Sequence, residues 1–416
     1  MSEGDAKTAK PERLACLDAF RGFDILVMIF VNYIAGMKAI PFLLRHAPAE
    51  MDAYTVTDIV FPGFLFIVGV AIPLSLQKRI ARGDPLGQVI GRIFIRTAGL
   101  LFLGLIMVNE EIYSARDTGL SRGLWYFLAY VAVIAIWTIY PKTESRRRRT
   151  LYLALRIAAI ILLFILVLVF RARAEDGRVT WLQIPWWGIL GIIGWCYLTC
   201  SLVYLLTKGR PVALMGAMGL MIALYIGSRH GGLDFLAPVT RILDIGRELG
   251  SHSAIVTAGM LVGILFIPGA LTKKPKERII SMGAFGTGLF LAGYLLRPLH
   301  GFSKINATES YALVTSGICC LLLLAFYVLM DVFKIRRWAR FVQPIGTNPL
   351  VAYILPGILG SLIGFASSAL HVNADQFFWP LREQGGLPGM LNAAVMTGLI
   401  LLVTWAVTKA KILLKI

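Results

Sequence analysis

Long apolar runs constrain this sequence more than any other feature, because they decide which solvent the folded chain must face. A transmembrane helix needs about 20 predominantly apolar residues, and a segment inside a bilayer must satisfy its backbone hydrogen bonds within itself. The sequence therefore predicts an all-α, polytopic transmembrane helix bundle of about twelve spans in a single domain. The runs lie near residues 20–37, 59–77, 93–108, 121–140, 151–170, 184–206, 212–227, 253–270, 279–296, 310–333, 346–367 and 389–408.

Composition excludes the main alternative classes. Only 15% of the 416 residues are charged, whereas a soluble domain carries about 25%, so this chain cannot coat a water-exposed globule with charge. The hydrophobic fraction of 57% excludes a disordered chain. The net charge of +18 suggests a nucleic-acid partner at first sight. However, the basic residues form short clusters between the apolar runs, so we predict membrane lipid as a partner and no nucleic acid.

The basic clusters also predict the orientation of the bundle. If the N-terminus is cytoplasmic, every strong cluster falls in an inner loop, as the positive-inside rule requires. We therefore predict that both termini are cytoplasmic, that residues 1–17 form an inner tail, and that the first span is not cleaved as a signal peptide. The clusters lie within 78–82, 142–149, 208–210, 273–278, 334–340 and 409–415.

Polar residues of the first run are informative, because ionisable groups inside a span are costly. Asp18 and Arg21 are three residues apart on one helix face, and we predict an ion pair at the cytoplasmic boundary. Asp24 lies deeper and is predicted to face the interior of the bundle. Asn32 follows about two helical turns later, near the outer end of the same helix.

Three side chains are predicted to converge at one outer corner of the bundle: Asn32, His46 in the first outer loop, and Asp58 at the start of the second span. An imidazole that a carboxylate orients can act as a general base or nucleophile near neutral pH. The alternative is structural, with Asp58 capping its helix and His46 bonded within the loop. All five histidines fall on the outer side, but none has the spacing of a metal motif, so we predict no metal site.

The same residues resemble the opening of the heparan-α-glucosaminide N-acetyltransferase family, whose bacterial relatives are described as domain-of-unknown-function membrane proteins. The resemblance covers about the first 75 residues well and implies a bacterial cytoplasmic-membrane location. Later segments near 250–255, 304–311 and 346–350 are similar to family segments, while the spans within 121–170 look like a two-span insertion. The stretches that carry the resemblance to the opening of the family are residues 13–14, 17–22, 31–33, 46–47 and 57–64.

The resemblance implies an enzyme that moves an acetyl group from cytosolic acetyl-CoA to an amino sugar or glycan on the far side of the membrane. His46 matches the key histidine, with Asn32 and Asp58 as its neighbours. We expect Asp58 to orient the imidazole and Asn32 to donate a hydrogen bond to the thioester carbonyl. His46 would either deprotonate the acceptor or carry the acyl group.

Two donor contacts are predicted at the inner start of the third span. Arg92 and Arg96, at i and i+4 of the third span, can offer charge-assisted bonds to the phosphates of acetyl-CoA, although anchoring the helix is an equally good interpretation. From the resemblance of their segments, Lys304 and Asn348 are predicted as further donor contacts.

A transporter for an amino sugar such as N-acetylglucosamine is the alternative function. Many spans and an intramembrane Asp24 suit it equally. Asp24 and Asp58 would then bind a proton or the sugar. A homodimer is compatible with either function.

Overall fold

The computed structural model describes residues 14–174, 176–267, 274–372 and 384–414, and these residues are predominantly helical. The one sheet among them is a hairpin of two short antiparallel strands, β1 (Ala172–Arg173) and β2 (Val179–Thr180). The predicted all-α class is therefore confirmed.

The long helices follow the predicted apolar runs in order. They are α1 (Ala15–Ile34), α2 (Val56–Ile80), α3 (Leu86–Val108), α5 (Arg122–Trp137), α6 (Arg146–Val169), α7 (Gly188–Leu206), α8 (Pro211–Arg229), α10 (Ser253–Ile264), α11 (Pro275–His300), α12 (Glu309–Tyr327), α14 (Pro349–Leu370) and α15 (Gly386–Lys409). Short helical segments join them: α4 (Ala115–Thr118), α9 (Ala237–Thr240), α13 (Gln343–Thr347), 3-10 turns at Phe42–Leu44, Asp234–Leu236 and Arg337–Phe341, and π-helical segments at Ile245–His252 and Val328–Val332.

Nine helices within the described ranges are long and apolar enough to cross a membrane. The other three predicted runs also form helices, but these helices are too short or too charged to be counted among the nine. Helix α1 carries three charged residues, α5 has 16 residues, and α10 has 12 residues and continues from the π-helical segment. A count of twelve crossings therefore stays a prediction. That the 121–170 spans are an insertion also stays a prediction; the structure forms α5 and α6 there.

Charged groups of α1 behave as the sequence predicts. Arg21 Nη1 lies 3.4 Å from Asp18 Oδ1, so the predicted ion pair is present. The same guanidinium donates to the carbonyl of Gly346 at 3.0 Å, which ties α1 to α13. Asp24 is only 7% exposed and packs against Gly63 of α2, so it faces the interior as predicted.

Close backbone contacts hold the centre of the bundle together. A methyl group added to Gly69 of α2 would collide with the carbonyl oxygen of Val256, and one added to Gly259 of α10 would collide with that of Phe66. Small residues allow this approach, which is a common way to pack helices in a membrane, where hydrophobic burial between helices contributes little. The α2–α10 contact fixes the helix that carries Asp58.

Contacts between the connecting segments define two ends of the bundle. At one end, the segment before α2 meets the segment before α12, where Ala53 donates its N–H to the carbonyl of Phe302 at 3.2 Å. At the other end, the segment after α15 meets the start of α14 through Asn348 and Ile412. The candidate site lies at the first of these ends.

Candidate active site

His46 and Asp58 form a hydrogen-bonded pair, as the sequence predicts. The Nδ1 atom of His46 lies 2.7 Å from Oδ1 of Asp58. The carboxylate side chain is 0% exposed, whereas the imidazole is 45% exposed. The anchor of the pair is therefore held inside the protein, and the ring remains accessible to a reactant.

Local structure explains why the carboxylate sits where it does. Asp58 is the third residue of α2, and its Oδ2 atom accepts the N–H of Thr55 at 3.0 Å and that of Ala47 at 3.1 Å. A carboxylate near a helix N-terminus satisfies free N–H groups and interacts well with the helix dipole. Because Ala47 follows His46 directly, the same carboxylate fixes both the backbone of the loop and the ring. Asp58 therefore caps helix α2 and orients the imidazole of His46 at the same time.

The hydrogen bonds also assign the proton on the imidazole. Ionised carboxylate oxygens only accept hydrogen bonds, so His46 Nδ1 carries the proton that it shares with Asp58. The lone pair of the neutral ring therefore resides on Nε2. An imidazole fixed in this tautomer by a buried carboxylate can take a proton from an incoming nucleophile.

Lys304 contacts the same ring, which the sequence analysis did not predict. Its Nζ atom lies 3.1 Å from Nδ1 and 3.2 Å from Nε2 of His46. Nδ1 donates to Asp58, so Nε2 keeps the lone pair, and the nearly equal distances place the amine against the ring as a whole and not along that lone pair. Burial lowers the pKa of Lys304 to about 8, although the charge of Asp58 opposes this shift. No sequence signal could reveal this contact, because the two residues are 258 positions apart.

The loop that carries Lys304 is fastened to the loop that carries His46. Phe302 donates its N–H to Asp52 Oδ1 at 2.6 Å, and the Ser303 hydroxyl donates to the carbonyl of Ala49 at 3.4 Å. The first residues of α12 add a further tie, because the hydroxyl of Tyr311 donates to the backbone carbonyl of Asp58. These bonds hold the lysine against the imidazole.

Asn32 is not joined to the pair. It lies in the last turn of α1 and is exposed, and within the described ranges no hydrogen bond connects it to His46 or Asp58. The structure therefore brings two of the three predicted corner residues into direct contact. A catalytic role of Asn32 stays a prediction.

A cavity of about 370 Å³ lies among α1, α2, α3, α7 and α14. Its walls are mainly apolar, and two guanidinium groups, those of Arg21 and Arg96, line it. Along α2 it extends from Phe64 to Ser75. Phe64 is six residues beyond Asp58, about 9 Å along the helix axis, so the cavity runs towards the His46–Asp58 pair. Its volume falls within the ~300–1,000 Å³ typical of small-molecule sites.

The other predicted donor contacts differ in position. Arg92 is exposed and does not line this cavity. Asn348 is buried, and its amide is bonded to the C-terminal segment: Nδ2 donates to the carbonyl of Ile412 at 2.9 Å, and Oδ1 accepts the N–H of Leu414 at 3.2 Å. Its neighbours Thr347 and Pro349 do line the cavity. Donor binding by Arg92 and Asn348 stays a prediction.

Two further histidine–carboxylate pairs were missed by the sequence analysis. His252 Nδ1 lies 3.0 Å from Glu248 Oε2, and His300 Nδ1 lies 3.0 Å from Glu309 Oε1. The i, i+4 spacing of the first pair is a signal that could have found it, whereas the second pair crosses a loop. Among the residues that the structure describes, no cluster of three or more His, Cys, Asp or Glu side chains could hold a metal ion.

Comparison with known proteins adds an independent observation. A family model described as "Domain of unknown function (DUF5009)" matches residues 13–234. The heparan-alpha-glucosaminide N-acetyltransferase of Homo sapiens is 26% identical to this chain over 438 residues, covering 98% of the chain and 61% of the human protein. That of Mus musculus is 26% identical over 451 residues, covering 99% of the chain and 62% of the mouse protein.

The chain thus spans about three fifths of the length of these curated relatives. The family match includes Asn32, His46 and Asp58 as well as Arg92 and Arg96. It extends over more than half of the chain, which confirms the family resemblance found in the sequence. The chain belongs to the DUF5009 family, and it is similar over nearly its whole length to two mammalian heparan-alpha-glucosaminide N-acetyltransferases.

Proposed function

We propose that this chain is a transmembrane acyltransferase. It transfers an acetyl group from cytosolic acetyl-CoA to an amino sugar or related glycan acceptor on the outer side of the membrane. The observation that carries this proposal is the 2.7 Å bond between an exposed imidazole and a fully buried carboxylate. The N-acetyltransferase activity for which the two relatives are named supports the reaction class.

The proposed topology has twelve crossings and both termini in the cytoplasm. Contacts between connecting segments support it, because segments predicted on the same side meet each other. At the predicted inner side, Cys16 near the start of α1 donates its N–H to Asp331 at 3.2 Å, and the C-terminal segment bonds to Asn348. A basic excess at this end and a bacterial cytoplasmic membrane fit the same arrangement.

Donor binding is assigned to the cavity beside α2. Arg21 and Arg96 would meet the phosphates of the nucleotide through charge-assisted hydrogen bonds. The apolar walls suit the acyl-bearing arm, which would extend along α2 towards Asp58. Arg92 and Asn348 are proposed as secondary contacts only, because Arg92 lies outside the cavity and the Asn348 amide is bonded to the C-terminal segment.

The reaction follows from the tautomer of His46. Nε2 takes a proton from the acceptor amine as the amine attacks the thioester carbonyl, and Asp58 stabilises the imidazolium that forms. Asn32 would donate a hydrogen bond to the developing oxyanion. The C–S bond then breaks, and the departing thiolate receives the proton. A transient acyl-imidazole at His46 is the alternative route, and burst kinetics without acceptor would reveal it.

One observation favours the second candidate function, a transporter of amino sugars. Asp24 is buried in the bundle, and its Oδ2 atom has no hydrogen-bond partner among the described residues. A buried carboxylate of this kind can bind a proton or a polar solute. Uptake of N-acetylglucosamine into proteoliposomes without any acyl donor would support this function and exclude the enzyme as the main activity.

The test of the proposed function compares two identical substitutions. Purified protein is incubated with acetyl-CoA and glucosamine, and His46→Asn is expected to lower the rate about 100-fold or more, the usual contribution of a general base. The matched control is His371→Asn. His371 is exposed at the end of α14, and asparagine tolerates the left-handed backbone conformation found there. Equal activity of both variants and the native chain would refute the assignment.

A further inference from the structure

The amine of Lys304 occupies a position that an acceptor amine needs. Its Nζ atom lies 3.1 Å from Nδ1 and 3.2 Å from Nε2 of His46, and Nε2 is the nitrogen that bears the lone pair of the neutral ring. A lysine side chain and an amino sugar both present a primary amine. Within hydrogen-bond reach of the proposed base, the protein therefore already holds a group with the chemistry of the acceptor.

We propose that Lys304 is itself a site of acylation: when no external acceptor is bound, the acyl group of the donor is transferred to Lys304 Nζ. This inference rests on the proposed function, because it needs an acyl donor that reaches His46. It adds a modified residue to the active site and an N-acyl-lysine as a second product.

The step is chemically balanced without any further reactant. The neutral amine of Lys304 attacks the thioester carbonyl, and an amide C–N bond forms as the C–S bond breaks. Nε2 of His46 accepts the proton that the amine loses. The thiolate then takes this proton and leaves as free CoA, so one acyl-CoA and one lysine give one acyl-lysine and one CoA thiol.

Two properties of the site favour Lys304 over other lysines. Burial lowers its pKa to about 8, so an appreciable fraction of the amine is neutral near physiological pH. The titratable groups that face it are His46 from the first outer loop and Asp58 from α2. Its own loop is braced, because Thr308 donates to the carbonyl of Gly301 at 2.8 Å and Asn306 donates its N–H to Ser303 at 3.2 Å.

Lys38 provides a matched control within the same protein. It lies in the loop after α1, it is exposed, and within the described ranges it makes no side-chain contact with His46. Non-enzymatic acylation by the thioester can also modify an exposed lysine of this kind, so Lys38 gives the background rate of labelling. A loss of the Lys304 label in His46→Asn, measured against this background, would therefore report the imidazole.

The experiment is peptide mass spectrometry of the full-length protein after incubation with isotope-labelled acetyl-CoA and no acceptor. The label is expected to enter Lys304 at least about tenfold faster than Lys38. His46→Asn should lower the rate at Lys304 about 100-fold or more and leave the rate at Lys38 unchanged, since a general base contributes about 10²–10⁴-fold. Added glucosamine should compete and slow the labelling of Lys304 in the native chain, a readout that needs no variant. Lys304→Arg keeps the cation and should abolish the label at this position.

Equal labelling of Lys304 and Lys38, or labelling of Lys304 that neither His46→Asn nor glucosamine changes, would overturn the inference. If the protein acetylates glucosamine but Lys304 remains unlabelled, the inference fails while the proposed function stands. If neither amine is acetylated by protein that still melts cooperatively, the proposed function fails as well.

Discussion

Replacement of Asp58 by asparagine tests the pair at its buried anchor. The carboxylate accepts hydrogen bonds from His46 Nδ1 and from the N–H groups of Ala47 and Thr55, and the Thr55 hydroxyl lies 3.1 Å from its Oδ2 atom. An amide has the same shape but only one acceptor oxygen, so its NH₂ group must face either a backbone donor or the ring. If it faces the ring, it donates to Nδ1 and moves the imidazole proton to Nε2. The base then has no lone pair where the acceptor binds.

The expected losses of activity and stability in Asp58→Asn follow from the hydrogen bonds that are lost. An equivalent substitution that leaves a catalytic histidine in the wrong tautomer lowers kcat about 10⁴-fold in the serine protease triad, and we expect a decrease of about 10²–10⁴-fold for Asp58→Asn. One unsatisfied buried donor would also reduce the free energy of unfolding by about 1–3 kcal/mol. Transfer of labelled acetyl to glucosamine measures the first effect, and a thermal melt in detergent measures the second.

The control for this variant is Asp117→Asn. Asp117 lies in α4 and pairs with Arg173 at 2.7 Å at the protein surface, away from the imidazole. It should retain the native rate within about twofold, since exposed ion pairs contribute little. The reasoning is wrong if Asp58→Asn folds normally and keeps kcat within about threefold of the native value, because the carboxylate would then serve only as a helix cap.

Three further predictions follow from the cavity, the packing and the lysine. CoA should raise the melting temperature of Arg92→Ala more than that of Arg96→Ala, because only Arg96 lines the cavity; equal stabilisation would contradict the donor site. Gly259→Ala should lower the free energy of unfolding by about 1–3 kcal/mol through overpacking. Gly288 faces open space, so Gly288→Ala should leave stability unchanged or raise it; thermal melts in detergent measure both variants. Lys304→Met should stabilise the fold most at neutral pH, because it removes a buried positive charge. This gain in stability should shrink as the pH rises from about 8 to 10.5, since the native lysine loses its charge in that window. A gain that does not depend on pH would argue against the lowered pKa of Lys304.

Much of the helical architecture is predictable because the bilayer leaves few alternatives. An apolar run of sufficient length must become a helix, so the runs and the helices agree. Their ends differ where charge or turn chemistry intervenes. Helix α1 begins at Ala15, earlier than the apolar run, because its first turns carry Asp18 and Arg21 in an ion pair. Such charged turns extend a helix without extending its hydrophobic pattern.

The candidate site was predictable in part for a related reason. His46 and Asp58 are separated by 12 positions in one loop and one helix start, so local structure brings them together. Lys304 and Asn348 depend on packing between distant segments. Donor binding by both stays a prediction; the structure adds that Lys304 contacts the imidazole and that the Asn348 amide bonds to the C-terminal segment. Neither position follows from periodicity, capping or charge patterning.

The central claim is that an acyl group supplied at one side of the membrane is received at the other. The most direct measurement uses sealed proteoliposomes with the protein in a defined orientation, labelled acetyl-CoA on the side of Arg96 and glucosamine on the side of His46. We predict acetylated glucosamine in the acceptor compartment, and a loss of about 100-fold or more with His46→Asn. Product that forms only when donor and acceptor share a compartment would contradict the account.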